Sequence, residues 1–274
     1  MSETSARQAP ATGPEPPKPP KPPEAPEAGT QRPARHGRRR HLLIALGLVC
    51  CLLAVAAAVS SAYVVTRHSS ADHQRPSGIP PSVSTSMAYM MALSPIPPKS
   101  APGFTLTDQA GRTLALSSFH GKAVVLEFMD PHCTDICPIV SDEFIRAYHD
   151  LGPLASKVAF VTVNVNQYHN AVSDVQAFSR EQQLTSIPGW HFFTGAVPAL
   201  RAVWRDYAIA VQAPNPDADV VHTSAVYFID PQGRERYLAE PMVDHTKSGK
   251  AYLPPAQLAA WGHGIALVAR DLTG

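Results

Sequence analysis

Two thiols separated by three residues stand in His132-Cys133-Thr134-Asp135-Ile136-Cys137-Pro138. The apolar run Ala123-Val124-Val125-Leu126-Glu127-Phe128-Met129 precedes them, and Ile139 to Tyr148 follow with apolar residues at helical spacing. This reads as a buried strand, a loop carrying two cysteines, and a helix opened by a proline in its first turn. Helix N-termini favour the thiolate, which is both the sulfur nucleophile and the metal-binding form. The pair is therefore a redox couple, a soft-metal site, or both. Glu127, six residues before Cys133, adds a carboxyl in the middle of an apolar strand. Such a group is costly unless paired or protonated, and it can act as a proton acceptor. Thiol–disulfide exchange is accordingly the alternative reading to metal binding, with Cys133 and Cys137 as its redox pair.

The elements that position these residues occupy only part of the 274-residue chain. Residues 1–41 are proline-rich, with ten prolines in the first 40 and repeats such as Pro16-Pro17-Lys18-Pro19-Pro20, and read as a disordered tail of polyproline II character. Residues 42–65 are apolar or small without a charge, matching the about 20 residues that a membrane-spanning helix needs. Arg35, Arg38, Arg39 and Arg40 precede the span and only Arg67 closely follows it. The positive-inside rule then predicts a single-pass cell-membrane protein with a cytoplasmic N-terminus and an extracytoplasmic C-terminal domain. A cleaved signal peptide ending near Ser60-Ser61-Ala62 competes with this, and the long preceding tail argues against it.

The net charge of +1 and the absence of a basic, aromatic-laced patch give no support to nucleic-acid binding. Of the four cysteines, Cys50 and Cys51 fall inside the expected span, leaving Cys133 and Cys137 alone in the exported part. A disulfide closing so short a loop stabilises little, so the pair reads as functional rather than structural.

Residues 66–100 read as a Ser/Pro-rich linker. Met87, Met90 and Met91 within it are thioethers of the kind Cu(I) accepts, or else one side of a short amphipathic packing segment. From residue 101 the pattern predicts a hairpin over 104–116, strands over 123–129 and 158–165, a helix over 171–184, a short strand at 190–193, a helix over 197–207, a strand over 222–230 paired with 236–238, and a helix over 255–271. Strand–helix–strand units closing on a hairpin give an α/β fold, a mixed central sheet flanked by helices, with the thiol loop at the carboxyl end of its central strand.

In these residues the chain resembles the Sco/SenC family of thioredoxin-fold proteins. The resemblance rests on His132-Cys133-Thr134-Asp135-Ile136-Cys137-Pro138, Phe104-Thr105-Leu106-Thr107-Asp108, Trp190-His191-Phe192-Phe193-Thr194-Gly195, and His222 leading into Val226-Tyr227-Phe228-Ile229-Asp230-Pro231-Gln232-Gly233. It covers roughly residues 101–240, within an expected domain of 101–274. It implies copper, as Cu(I) or Cu(II), held by Cys133, Cys137 and His222, and a role in delivering copper to, or keeping reduced the thiols of, the Cu(A) site of cytochrome c oxidase. Two thiolates and an imidazole make a soft, low-coordinate set that suits Cu(I) better than Zn(II). His132 is a further candidate ligand. The partners implied are the Cu(A)-bearing oxidase subunit or another thiol protein, and an upstream thiol reductant, since copper needs both cysteines reduced. The chain departs from the family pattern at Thr134, where proline is usual, at Asn164 to Asn170, where an acidic segment is usual, and over 241–274.

Overall fold

A computed structural model describes residues 75–274. The tail, the expected span at 42–65 and the start of the linker lie outside the described residues. Among the described residues, no helix is long and apolar enough to cross a membrane.

In chain order the elements are α1 (Thr85–Met90), β1 (Ser94–Ser100), β2 (Thr105–Thr107), β3 (Thr113–Ala115), β4 (Ala123–Met129), α2 (Ile136–Leu151), β5 (Val158–Asn164), α3 (Val172–Glu181), β6 (Trp190–Phe193), α4 (Val197–Asp206), β7 (Val211–Gln212), β8 (Val221–His222), β9 (Val226–Ile229), β10 (Arg234–Ala239), β11 (Asp244–His245), β12 (Ala251–Tyr252) and α5 (Pro255–Thr273). The main sheet runs β1-β10-β9-β4-β5-β6. Strands β4, β5 and β6 are parallel, whereas β9 is antiparallel to β4, and β10 and β1 continue antiparallel. A β4–α2–β5 unit beside a β9–β10 hairpin that leads to α5 is the thioredoxin-like arrangement. The sheet is mixed and flanked by helices, as the sequence pattern predicts.

Every residue of β4 and β5 is buried, which is why both read as uninterrupted apolar runs rather than as alternating ones. Side chains still alternate between the two faces. Val125 and Met129 join Phe144, Phe178, Trp261 and Ile265 on the side of α2, α3 and α5. Val124, Leu126 and Phe128 join Phe104, Leu200, Trp204 and Tyr207 on the other. Glu127 shares the parity of Val125 and Met129, and its carboxyl interacts electrostatically with Glu143 of α2. Helix α2 buries Cys137, Val140, Phe144, Ala147 and Leu151, a single stripe at helical spacing. Helix α5 comes close enough to α2 that a Cβ at Gly262 would stand 2.5 Å from Arg146 Cβ and 3.0 Å from the Glu143 carbonyl.

Two expectations are corrected. Residues 79–100 are not a linker but part of the domain. Ile79, Val83, Ala88, Met91 and Leu93 are core residues, and β1 pairs with β10 at the sheet edge. Its three prolines suit an edge position, where missing N–H donors go unneeded, and its register with β10 shifts between Pro95 and Lys99. The methionines belong to this packing: Met91 is fully buried, and Gly264 of α5 leaves room for its sulfur. The second correction concerns 222–230, which is not one strand. Its first part, β8, pairs with β7 in a separate two-stranded ribbon, and only Val226–Ile229 enters the main sheet.

Glu143 is fully buried with neither carboxyl oxygen hydrogen-bonded. Desolvation, helped by the Asp142 carboxylate, pushes it up to about 8. A raised carboxyl stabilises the fold fully at acid pH and loses that contribution as pH climbs from about 4.5 towards about 8. Glu143→Gln is therefore expected to stabilise the protein at pH 9 by on the order of a few kcal/mol, with little change at pH 4, as read from urea midpoints at the two pH values.

Candidate metal and thiol centre

Strand β4 ends at Met129, and the next residue, Asp130, builds the loop that carries the first thiol. Its buried carboxylate accepts the His132 N–H (2.8 Å) and the Asn166 side-chain amide (3.0 Å), and its carbonyl accepts the Cys133 N–H (3.1 Å). Helix α2 then begins, bringing its unpaired N-terminal N–H groups to the sulfur. The Cys137 N–H points at Cys133 Sγ, 3.4 Å away. The two cysteines are free thiols, Cys133 partly exposed and Cys137 buried.

They differ in acidity for a structural reason. The Cys137 thiol donates to Cys133 Sγ, and the backbone N–H groups of Cys137 and Asp135 add to this, bringing Cys133 down to about 7 against desolvation. Donating that same hydrogen bond, with burial next, holds Cys137 well above the ordinary thiol range. A partly exposed, more acidic thiol thus stands beside a buried one that keeps its proton. Desolvation raises Glu127 well above its ordinary value, against hydrogen bonds from the Phe128 and Ala225 backbone and the Ser224 hydroxyl, and so favours its protonated form.

Cys133 and His222 line the same open cleft, of about 650 Å3, together with Asp130, Asp135, Ser224 and Lys250. His222 reaches it from the β7–β8 ribbon rather than from the main sheet. Its Nδ1 meets the Thr223 carbonyl at 3.0 Å, so with Nδ1 donating, Nε2 carries the free lone pair that a metal requires. Burial lowers its pKa below the usual imidazole value, favouring the neutral ring. The structure thus brings the two thiols together at the helix start and places the imidazole across the cleft. The donor atoms of Cys133, Cys137 and His222 are not gathered within 4.8 Å of one another; among the described residues the one such group is His132, His169 and Asp174.

Sequence reasoning missed the buried framework of Asp130, Asn164 and Asn166. It also missed the 244–252 hairpin, which sets Ser248, Gly249 and Lys250 at the cleft and ties itself to the thiol loop through His245 Nε2 and Asp135 Oδ1 (2.8 Å). The available signal was Asn164-Val165-Asn166, polar residues continuing an apolar strand.

The profile of the SCO1/SenC family matches residues 96–248, more than half of the chain. The chain belongs to this family. Among curated relatives, the SCO1 protein homolog of Bacillus subtilis is 23% identical over 133 residues, covering 48% of this chain and 68% of its own. The mouse mitochondrial protein SCO2 homolog is 29% identical over 139 residues, 47% of this chain and 52% of its own, so the match spans about half the length of that relative. A solved Bradyrhizobium japonicum ScoI with copper bound superposes with a TM-score of 0.49 at 20% identity, covering 64% of this chain and 99% of that one. The range of the family profile contains the thiol loop and ends before α5.

The thiol asymmetry has a direct readout. Alkylation of Cys133 by iodoacetamide is expected to rise with a midpoint near pH 7, with Cys137 protected in the folded protein. Cys137→Ala removes the donated hydrogen bond and should move that midpoint upward. Mass spectrometry of peptides after timed labelling checks both.

Proposed function

We propose that the domain is a copper-binding assembly factor that holds copper through Cys133, Cys137 and His222, and that it delivers copper to, or keeps reduced, the thiols of the Cu(A) site of cytochrome c oxidase. The observation that carries this reading is the pairing of a helix-start Cys-x3-Cys with a neutral imidazole on one cleft, in a chain of the SCO1/SenC family. Thiolate, thiolate and imidazole are soft and borderline donors, few enough for the low coordination that Cu(I) accepts. The cleft is far larger than an ion, which suits a site that must meet a partner protein. His222 sits on a two-residue ribbon outside the main sheet, and a movement of that ribbon towards the thiols closes the site.

Residues 42–65 anchor the chain in the cell membrane in this proposal, with the described domain on the extracytoplasmic side, where an upstream reductant keeps the pair in its dithiol form. The membrane, the Cu(A)-bearing subunit and that reductant are the partners.

Thiol–disulfide exchange by the same pair is the second reading, favoured by the raised acidity of Cys133 and the buried acid Glu127 that acts on Cys137. Cys133 thiolate attacks a partner disulfide, releasing one partner thiolate and forming a mixed disulfide. Cys137, giving up its proton, then attacks Cys133 Sγ and releases the second partner thiol, so the partner is reduced and Cys133–Cys137 oxidised. The Cys137 proton goes to the carboxylate form of Glu127, whose proton affinity burial raises, and the resulting neutral acid returns it to the Cys137 thiolate when the upstream reductant restores the dithiol.

A Cu(I) titration of the reduced full chain against a chromogenic competitor tests the first reading. One tightly held copper is expected. It should be lost in Cys133→Ser and Cys137→Ser and weakened by roughly 10–100-fold in His222→Ala. Absence of tight binding by the parent protein overturns the copper reading. Exchange with a model disulfide separates the two: His222→Ala should leave its rate unchanged, whereas Glu127→Gln should slow it.

A further inference from the structure

Cys133 also lines a second cleft, with His132, Pro138, Asp174 and Glu181 among others. At His132 and Asp174 of this cleft, with His169 beside them, two imidazoles and a carboxylate come together from three separate stretches of chain. His132 comes from the thiol loop, His169 from the segment after β5, and Asp174 from the first turn of α3. One ligand atom from each lies within 4.8 Å of the other two. His132 Nε2 is 3.9 Å from Asp174 Oδ1, and the two imidazole rings stack with centroids 3.7 Å apart.

Partly buried hydrogen bonds hold the backbone of both histidines. The His132 N–H goes to Asp130 Oδ1, the His169 N–H to Asn166 Oδ1 (3.1 Å), and the His169 carbonyl accepts from Asn164 Nδ2 (2.8 Å). Asn166 and Asp130 are themselves hydrogen-bonded, so the two loops share one rigid support. Asp174 uses Oδ2 to accept the Ala171 N–H (3.1 Å), which turns Oδ1 towards the histidines. The chain has placed three metal-binding side chains on fixed backbone and left their ends exposed to solvent: His132 is 50% exposed and Asp174 25%.

We propose that His132, His169 and Asp174 form a second metal site, for a divalent transition ion of the Cu(II) type, separate from the thiols. Two imidazoles and a carboxylate are the harder counterpart of the thiol set, and among divalent ions such a site holds Cu(II) most tightly, Zn(II) less so. An ion about 2.1 Å from each donor keeps the donors roughly 3–3.5 Å apart. His132 Nε2 and Asp174 Oδ1, at 3.9 Å, stand about half an ångström beyond this, which a rotation of the half-exposed His132 ring out of the stack takes up. Solvent fills the remaining positions. The site neither needs the thiol centre nor depends on the copper reading of it.

The test uses the full chain carrying Cys133→Ser and Cys137→Ser, so that only non-thiol binding is read. Cu(II) is added in a non-coordinating buffer and followed by electron paramagnetic resonance and by competition with a chelator, with Zn(II) as competing ion. In this chain, one Cu(II) showing coupling to two nitrogens is expected. His169→Ala and, separately, the conservative Asp174→Asn, whose amide oxygen can keep the Ala171 cap, should each weaken it by roughly tenfold or more. His169→Ala should also remove one nitrogen coupling. Copper held elsewhere on the chain is common to all three proteins, so the difference between them reads this site. Unchanged stoichiometry, affinity and spectrum in both variants, with circular dichroism showing them folded, overturns the proposal. Because the thiols are absent throughout, that failure leaves the Cys133–Cys137–His222 reading where it stood.

Discussion

The buried carboxylate of Asp130 is the contact on which the site depends. It stands at the carboxyl end of the central strand, where the chain must leave the sheet and turn into a helix. Three of its interactions do this: Oδ1 takes the His132 N–H and the Asn166 amide, and the carbonyl takes the Cys133 N–H. A buried carboxylate left without donors costs several kcal/mol, so the loop geometry and the charge stabilise each other. The result fixes where Cys133 stands before the helix begins. It also binds the thiol loop to the neighbouring loop after β5.

From that anchor the asymmetry of the thiols follows. The N-terminus of α2 is already a cluster of unpaired N–H groups, and Asp130 sets Cys133 Sγ in front of it. Cys137, in the first turn of the helix, points inward among apolar neighbours and donates to its partner. One sulfur is thereby activated and the other reserved. Disulfide exchange uses this division directly, whereas a copper site would take both sulfurs as thiolates, so the surroundings, His222 against Glu127, distinguish the two readings.

Around the anchor the chain builds two faces of different chemistry. Towards the β7–β8 ribbon and the 244–252 hairpin, Cys133 looks onto an open cleft with His222. Towards α3 it shares a second cleft with His132 and Asp174, which His169 joins in one cluster. The loops that carry these groups sit on the carboxyl ends of β4 and β5, where parallel strands leave room for ligands. Helices α2 and α5, packed against each other through Gly262, make the rigid back of the domain and let its front be assembled from loops.

The sequence by itself determined the strands β4 and β5, the helices that follow them, the mixed sheet and the thiol pair, because burial on both faces of a strand and on one face of a helix writes itself as apolar runs and helical spacing. Cys133, Cys137 and Glu127 were legible for the same reason: their offsets are local and fix parity and helix position. Tertiary structure alone decided the rest. Residues 79–100 read as a Ser/Pro-rich linker, yet prolines are tolerated on an edge strand and Met91 is held by a glycine more than 150 residues away in sequence. His222 read as a sheet residue, but the chain breaks at Thr223 to Ala225 and sends it to a separate ribbon. The grouping of His132 with His169 and Asp174, and the Asp130–Asn166 contact beneath it, join residues far apart in sequence, and no local period records which loops will meet.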